Sequence, residues 1–177
     1  MTLLGRAVES AKITAFCVAA AVVYGILHDI VTANMCVEYF TIAHPPVFPT
    51  ENPFLLAIGW GIIATWWVGL PLGIFLAAAA QIGPAPIALA QLRRNIVIVM
   101  LISGAAALAC GLAGLALGLR GQFPVTLGWN AVIPPSKQAH FAFDAWAHLA
   151  SYGVGSLGGL TLIVMTAFSR ATAHRPI

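Results

Sequence analysis

Four apolar segments, at about 13–33, 54–80, 95–119 and 141–168, are each long enough to cross a bilayer, which takes about 20 residues. Each reads as a membrane-spanning helix, whose backbone satisfies its own N–H and C=O groups inside hydrocarbon. The fold expected is therefore all-α: an integral membrane four-helix bundle occupying the whole chain as a single membrane domain. Composition agrees. Only 7% of the residues are charged, against roughly 25% in soluble domains. The net charge of +3 comes from scattered loop residues with no basic cluster, which excludes nucleic acid as a partner. A Gly-rich phosphate loop, a CxxC pair and a serine nucleophile elbow are all missing from the sequence. Arg6 and Lys12 before the first apolar run resemble the start of a signal peptide. That run continues through Tyr24-Gly25-Ile26-Leu27 without a small-x-small stop, so it reads as a retained span.

The basic residues orient the bundle. With four crossings, Arg6, Lys12, Arg93, Arg94, Arg170 and Arg175 fall on one side, and only Arg120 and Lys137 on the other. Positively charged flanks mark the cytoplasmic face. Both termini are therefore expected in the cytoplasm. The two long connections, 34–53 and 120–140, are expected outside, which for a bacterial inner membrane is the periplasm. Prolines 45, 46, 49 and 53 keep the first connection from continuing as a helix, and Trp129 in the second reads as an interface anchor.

Polar residues gather at the outer side of this topology. Four of the five acids, Asp29, Glu38, Glu51 and Asp144, fall there, as do His28, His44, His140 and His148; His174 lies in the tail and reads as solvated. The fourth segment carries the densest group, with His140, Asp144 and His148 four residues apart on one helical stripe. His148 lies about 12 Å along the axis from His140. His28 and Asp29, near the outer end of the first span, reach similar depth. Ionisable side chains inside a membrane mark a functional site by default. Imidazoles with carboxylates and no thiolate cluster suit zinc, iron, copper or manganese. The metal-ligand candidates are His28, Asp29, His44, His140, Asp144 and His148. Glu38 and Asp144 are the candidate general bases, and Tyr24, Ser151 and Tyr152 are placed to orient a ligand. The alternative without a ligand is a buried structural pair of Asp144 with His28 or His148.

The stretch Tyr24-Gly25-Ile26-Leu27-His28-Asp29, followed by Glu38-Tyr39-Phe40-Thr41 and His44-Pro45, resembles a pattern in small bacterial multi-pass membrane proteins without an assigned activity. It covers about the first quarter of the chain and implies a unit there, with no ligands attached. The Asp144-x3-His148 step is similar to a copper-binding step in the membrane subunits of methane and ammonia monooxygenases.

Three function classes follow. One is a metal-dependent enzyme, hydrolase or oxidase, acting on a lipidic or small apolar substrate, with membrane lipid as its surroundings. Another is a haem-binding electron-transfer module using His28 and His148 as axial ligands. The third is a proton- or ion-coupled transporter or an accessory subunit of a membrane complex, with Asp144 as carrier. Small-residue pairs, Gly69/Gly73, Gly114/Gly118 and Gly155/Gly159, are expected to pack helices tightly, within the bundle or in a homo-oligomer. Tyr39 and Phe40 read as interface aromatics. The tryptophans of the second span read as lipid-facing or packing residues, and Cys17 and Cys110 as small core residues.

Overall fold

A computed structural model describes residues 2–122 and 128–172. His174 and Arg175 of the tail, and Pro124 of the second connection, lie outside the described residues. Among the described residues all regular structure is helical. The elements are α1 (Leu3–Met35), α2 (Val37–Thr41), α3 (Pro53–Ile63), α4 (Trp66–Gln81), α5 (Leu89–Leu119), α6 (Trp129–Val132), a 3-10 turn (Pro135–Lys137) and α7 (Gln138–Thr172). Four units are long and apolar enough to cross a membrane: α1, α3 with α4, α5, and the 3-10 turn with α7. The four-span expectation holds.

The helices outrun the apolar segments because polar caps carry them past the hydrocarbon. At 1.5 Å per residue, α1 is about 50 Å long, against a hydrocarbon core of about 30 Å. The Thr2 hydroxyl accepts the Gly5 amide and starts α1. Arg6 then reaches across to donate to the carbonyls of Gln81 and Gly83, at 2.9 and 2.7 Å, where α4 ends. Glu9 accepts the amide of Leu89 and so caps α5. Together these contacts gather the start of α1, the end of α4 and the start of α5 at one end of the bundle. Arg170 of α7 packs against Gly83 at the same end. Residues 36–52 and the described parts of the second connection, 120–122 and 128–137, lie at the opposite end, as the alternating direction of the spans requires.

The second span is broken, which the sequence expectation of one segment over 54–80 did not include. Asn52 caps α3 by accepting the amides of Phe54 and Leu55, with Pro53 at its first position. At Ala64-Thr65 the ladder shifts. The Val68 amide donates to Thr65 rather than to Ala64, and the Thr65 hydroxyl donates to the Gly61 carbonyl at 2.5 Å. Tyr152 of α7 supplies the Ala64 carbonyl with a donor, at 3.1 Å. Seven residues on, Pro71 sits inside α4 and offers no N–H to the turn before it.

Glycine sets how the helices pair. Where α1 meets α3, a Cβ on Gly61 would lie 2.5 Å from the Ile26 amide nitrogen, and one on Gly25 2.6 Å from the Gly61 carbonyl oxygen. Gly69 and Gly73 of α4 admit the backbone of α1 at Cys17 and Thr14. Gly114 and Gly118 of α5 admit α7 at Ala142 and Ala139. These two glycine pairs are thus used within the chain. Gly155 and Gly159 behave differently: a Cβ there would meet only Ser103 Oγ at 3.3 Å and the flexible side chain of Leu72. The bundle is therefore two zipped halves, α1 with α3 and α4, and α5 with α7. Between them lies a cavity.

Gly61→Ala and Gly25→Ala force backbone apart from backbone, so each should destabilise the detergent-solubilised protein by about 1–3 kcal/mol. Gly153→Ala, where a Cβ meets nothing within 4 Å, should leave the unfolding midpoint in place. Denaturant titration followed by tryptophan fluorescence checks this, and equal midpoints for all three variants would contradict the close α1–α3 contact.

Candidate metal centre

The site stands where α1 and α7 cross near the loop end. Asp29 is 5% exposed, although it is a carboxyl in a membrane-spanning helix. Its Oδ1 faces His148 Nε2 at 3.3 Å. His28, the next residue on α1, meets the same imidazole edge to face, with ring centroids 4.6 Å apart. One ligand atom from each of His28, Asp29 and His148 lies within 4.8 Å of the other two.

The proton positions follow from the partners. His148 Nδ1 lies 2.8 Å from the carbonyl oxygen of Asp144, which can only accept, so Nδ1 carries the hydrogen. In the neutral ring, Nε2 then holds a lone pair directed at the Asp29 carboxylate. Two acceptors do not attract one another, so either a second proton or a cation must sit between them. His28 Nε2 adds a third: it is buried and has no hydrogen-bond partner. An unpartnered imidazole nitrogen beside the Asp29–His148 pair makes a group of three ligand-type atoms that could hold a metal ion, and two nitrogens with one oxygen suit zinc, iron or copper. The backbone carbonyl that fixes the His148 tautomer is the outer partner such ligands ordinarily have.

Aromatic rings hold the imidazoles in place. Tyr39 of α2 stacks on His148, with centroids 4.5 Å apart, and Tyr24 stacks on His28 at 5.8 Å. Tyr39 is thus part of the site's wall and not an interface aromatic. Burial raises the Tyr39 hydroxyl pKa, with the charges of Asp144 and Asp29 adding to the rise, so the phenol stays neutral. Below the imidazoles, the hydroxyls of Tyr24 and Ser151 lie 2.8 Å apart. Ser103 of α5 reaches both the Ser151 carbonyl, at 2.9 Å, and Tyr24, at 3.3 Å. Sequence reasoning missed Ser103. Its signal was a lone hydroxyl amid the Ala, Leu and Gly of the third span.

The other expected ligands are placed apart from this group. His44 lines the same cavity, but its Nδ1 donates to the Tyr39 carbonyl at 2.8 Å and its ring packs against Trp60. Burial lowers the His44 pKa, and the nearby His148 lowers it further, against the opposing hydrogen bond to Tyr39. His140 keeps Nδ1 buried without a partner. Asp144 is wholly buried, and neither of its carboxyl oxygens has a hydrogen-bond partner. Burial pushes the nearby Cys36 thiol up to about 12, with the Asp144 carboxyl and the Glu38 hydrogen bond adding to the rise.

Glu38 anchors the first connection to the second. Its carboxylate pairs with Lys137 at 3.1 Å and accepts the Cys36 thiol at 3.4 Å. Burial acts to raise its pKa, but the hydrogen bonds from its own backbone amide, Lys137 and Cys36 outweigh that, and the group ends below its ordinary value.

No family model, curated protein or solved structure matches this chain.

Because the folded state holds Glu38 below its unfolded pKa, the pair stabilises the fold fully above the ordinary carboxylate range. That contribution is lost as the pH falls through the lowered folded value. The pair is partly exposed, so a double-mutant cycle of Glu38→Gln and Lys137→Met should give a coupling of about 0.2–1 kcal/mol at pH 7. It should vanish in strong acid, and a coupling independent of pH would contradict the ion pair.

Proposed function

We propose that this chain is a membrane metalloprotein whose ion is held by His28, Asp29 and His148, and that it works as a metal-dependent enzyme on a lipidic or small apolar substrate. The observation that carries the reading is the convergence of three buried, acceptor-capable atoms within 4.8 Å at the head of a cavity inside the membrane-spanning region. Three protein ligands leave coordination positions open, which is the arrangement of a catalytic rather than a structural centre. A bound zinc, iron or copper supplies Lewis-acid or redox chemistry there, and the identity of the ion selects hydrolase or oxidase.

The chain's own groups have assignable parts. Asp29 supplies the negative ligand and His148 a tautomer fixed by the Asp144 carbonyl, while Tyr39 and Tyr24 hold the rings. The salt-bridged, lowered Glu38 is a weak base, which weighs against its acting as the proton acceptor. The basic residues at the terminal end support a cytoplasmic position for both termini and a site facing the periplasmic side of a bacterial inner membrane. Haem ligation by His28 and His148 is disfavoured by their rings, which touch edge to face at 4.6 Å and leave no plane for a macrocycle between them.

Metal analysis of the purified protein after zinc loading and gel filtration tests the reading. The expected result is one ion per chain. Asp29→Asn and His148→Ala should each weaken binding by more than the roughly 100-fold that outer partners cost, while His140→Ala should keep the ion. Absence of a bound ion after loading with zinc, iron and copper in turn overturns it.

One observation favours a second reading, proton- or ion-coupled transport: Asp144 is fully buried with both carboxyl oxygens unpartnered. Such a group stays neutral or holds a cation. Asp144→Asn in proteoliposomes should abolish a proton-dependent flux while leaving bound zinc unchanged if that reading is correct. Wild-type vesicles no leakier than protein-free ones under an imposed pH gradient would remove it.

A further inference from the structure

The cavity is longer than a metal centre needs. On α1 its lining runs from Asp29 back to Cys17, and on α7 from His148 on to Leu162. At 1.5 Å per residue these are about 18 and 21 Å, so two antiparallel helices agree on a shaft of about 20 Å along the bundle axis. Its head is the polar group just described. Its foot is closed by Cys17, Leu76, Ile96 and Leu162, which are themselves buried core. Between head and foot, Tyr24, Ser103 and Ser151 form a cluster whose hydroxyls bond one another or backbone, and the hydroxyls of Thr65 and Tyr152 on the same lining donate to backbone carbonyls.

The shaft has a thin side wall. Val68, Leu72, Tyr152 and Ser156 line both the cavity and a groove on the outer surface between α4 and α7. This seam lies beside the break in the second span. The direct tie across it at that level is the single hydrogen bond from Tyr152 to the Ala64 carbonyl. Trp67 and Pro71 flank the groove from α4, and Trp67 is 55% exposed on the surface that faces lipid. Something entering here comes from the bilayer.

We infer that the shaft binds a long-chain fatty acid, admitted from the bilayer between α4 and α7, with its carboxylate at the His28/Asp29/His148 group and its alkyl chain directed to Leu162. The inference rests on the metal reading for the head group. Two neutral imidazoles and one carboxylate around a divalent ion leave one positive charge, which an anionic head neutralises and an ester does not. Desolvated charges of this kind are costly unless paired. Tyr24, Ser103, Ser151, Thr65 and Tyr152 on the wall already bond one another or backbone, so the tail displaces no partner of theirs, and each methylene moved from water contributes about 0.8 kcal/mol.

The probe is palmitate carrying a photoreactive diazirine at its chain end, incubated with the full chain in phosphatidylcholine nanodiscs loaded with zinc. Peptide mapping should place the label at the foot of the shaft, on Cys17, Leu76 or Leu162, and unlabelled palmitate should compete it away. Ser156→Trp at the seam and Gly155→Leu in the shaft should each reduce this labelling by about tenfold, the equivalent of about 1.4 kcal/mol of binding. If either variant fails to fold, the wild-type map decides alone. Label confined to lipid-facing positions such as Leu101 and Phe168, or foot labelling unmoved by both variants, overturns the inference. Zinc content of the same samples separates the two readings. Stoichiometric zinc without foot labelling overturns the fatty-acid site and leaves the metal centre standing. Foot labelling without bound zinc supports the shaft as a fatty-acid site and removes the metal from its head.

Discussion

The contact between Asp29 and His148 is the constraint on which the rest of the structure depends. A carboxyl that is 5% exposed within a membrane-length helix has no water to fall back on. Its environment must be built by protein, and α1 and α7 must cross at that height and rotation to build it. The Asp144 carbonyl fixes one side of the imidazole, Tyr39 covers its face, and α2 exists as a short helix over the loop end because Tyr39 has to be delivered there. Polar contacts at the terminal end do the complementary work. Arg6 and Glu9 cap α4 and α5 and thereby set the lengthwise register in which His28 meets His148.

Helices in hydrocarbon gain little from the hydrophobic effect between themselves, so close packing has to come from small residues. Here glycine is distributed unevenly, and the uneven use produces the cavity. Gly25, Gly61, Gly69 and Gly73 bring α1 against α3 and α4, while Gly111, Gly114 and Gly118 bring α5 against α7. Gly155 and Gly159 carry the same spacing but admit no backbone: Gly155 meets only the Ser103 hydroxyl, and Gly159 the Leu72 side chain of the other half. Two tight pairs that meet loosely leave a cavity, and the break at Ala64-Thr65 lies on its lining. The carbonyl freed by that break accepts from Tyr152, so the fold holds the seam with a side chain instead of a helical turn.

Much of the architecture was legible in the residues. Apolar length fixed four spans, and the alternation of basic flanks grouped the chain ends and the 81–94 turn together, as the contacts of Arg6, Glu9 and Arg170 then display. The sequence also picked out His28, Asp29 and His148, because ionisable groups are conspicuous in hydrocarbon. It could not separate them from His44, His140 and Asp144. Spacing along α7 places His140, Asp144 and His148 on one stripe equally, and only the crossing angle and height of α1 single out the last. The helix break was hidden for a related reason: Ala64 and Thr65 are ordinary helical residues, and the signal lies in a tyrosine 88 positions away.

What the sequence determined by itself is whatever hydrophobic length and charge dictate one segment at a time: an all-helical, four-span membrane protein with its polar residues gathered at one end. What only the tertiary structure decided is which of those polar atoms converge and that a cavity lies beneath them. Local periodicity fixes the face a residue occupies on its own helix. Convergence depends on the relative rotation and offset of two helices, and those are set by glycine contacts and caps distributed along the whole chain.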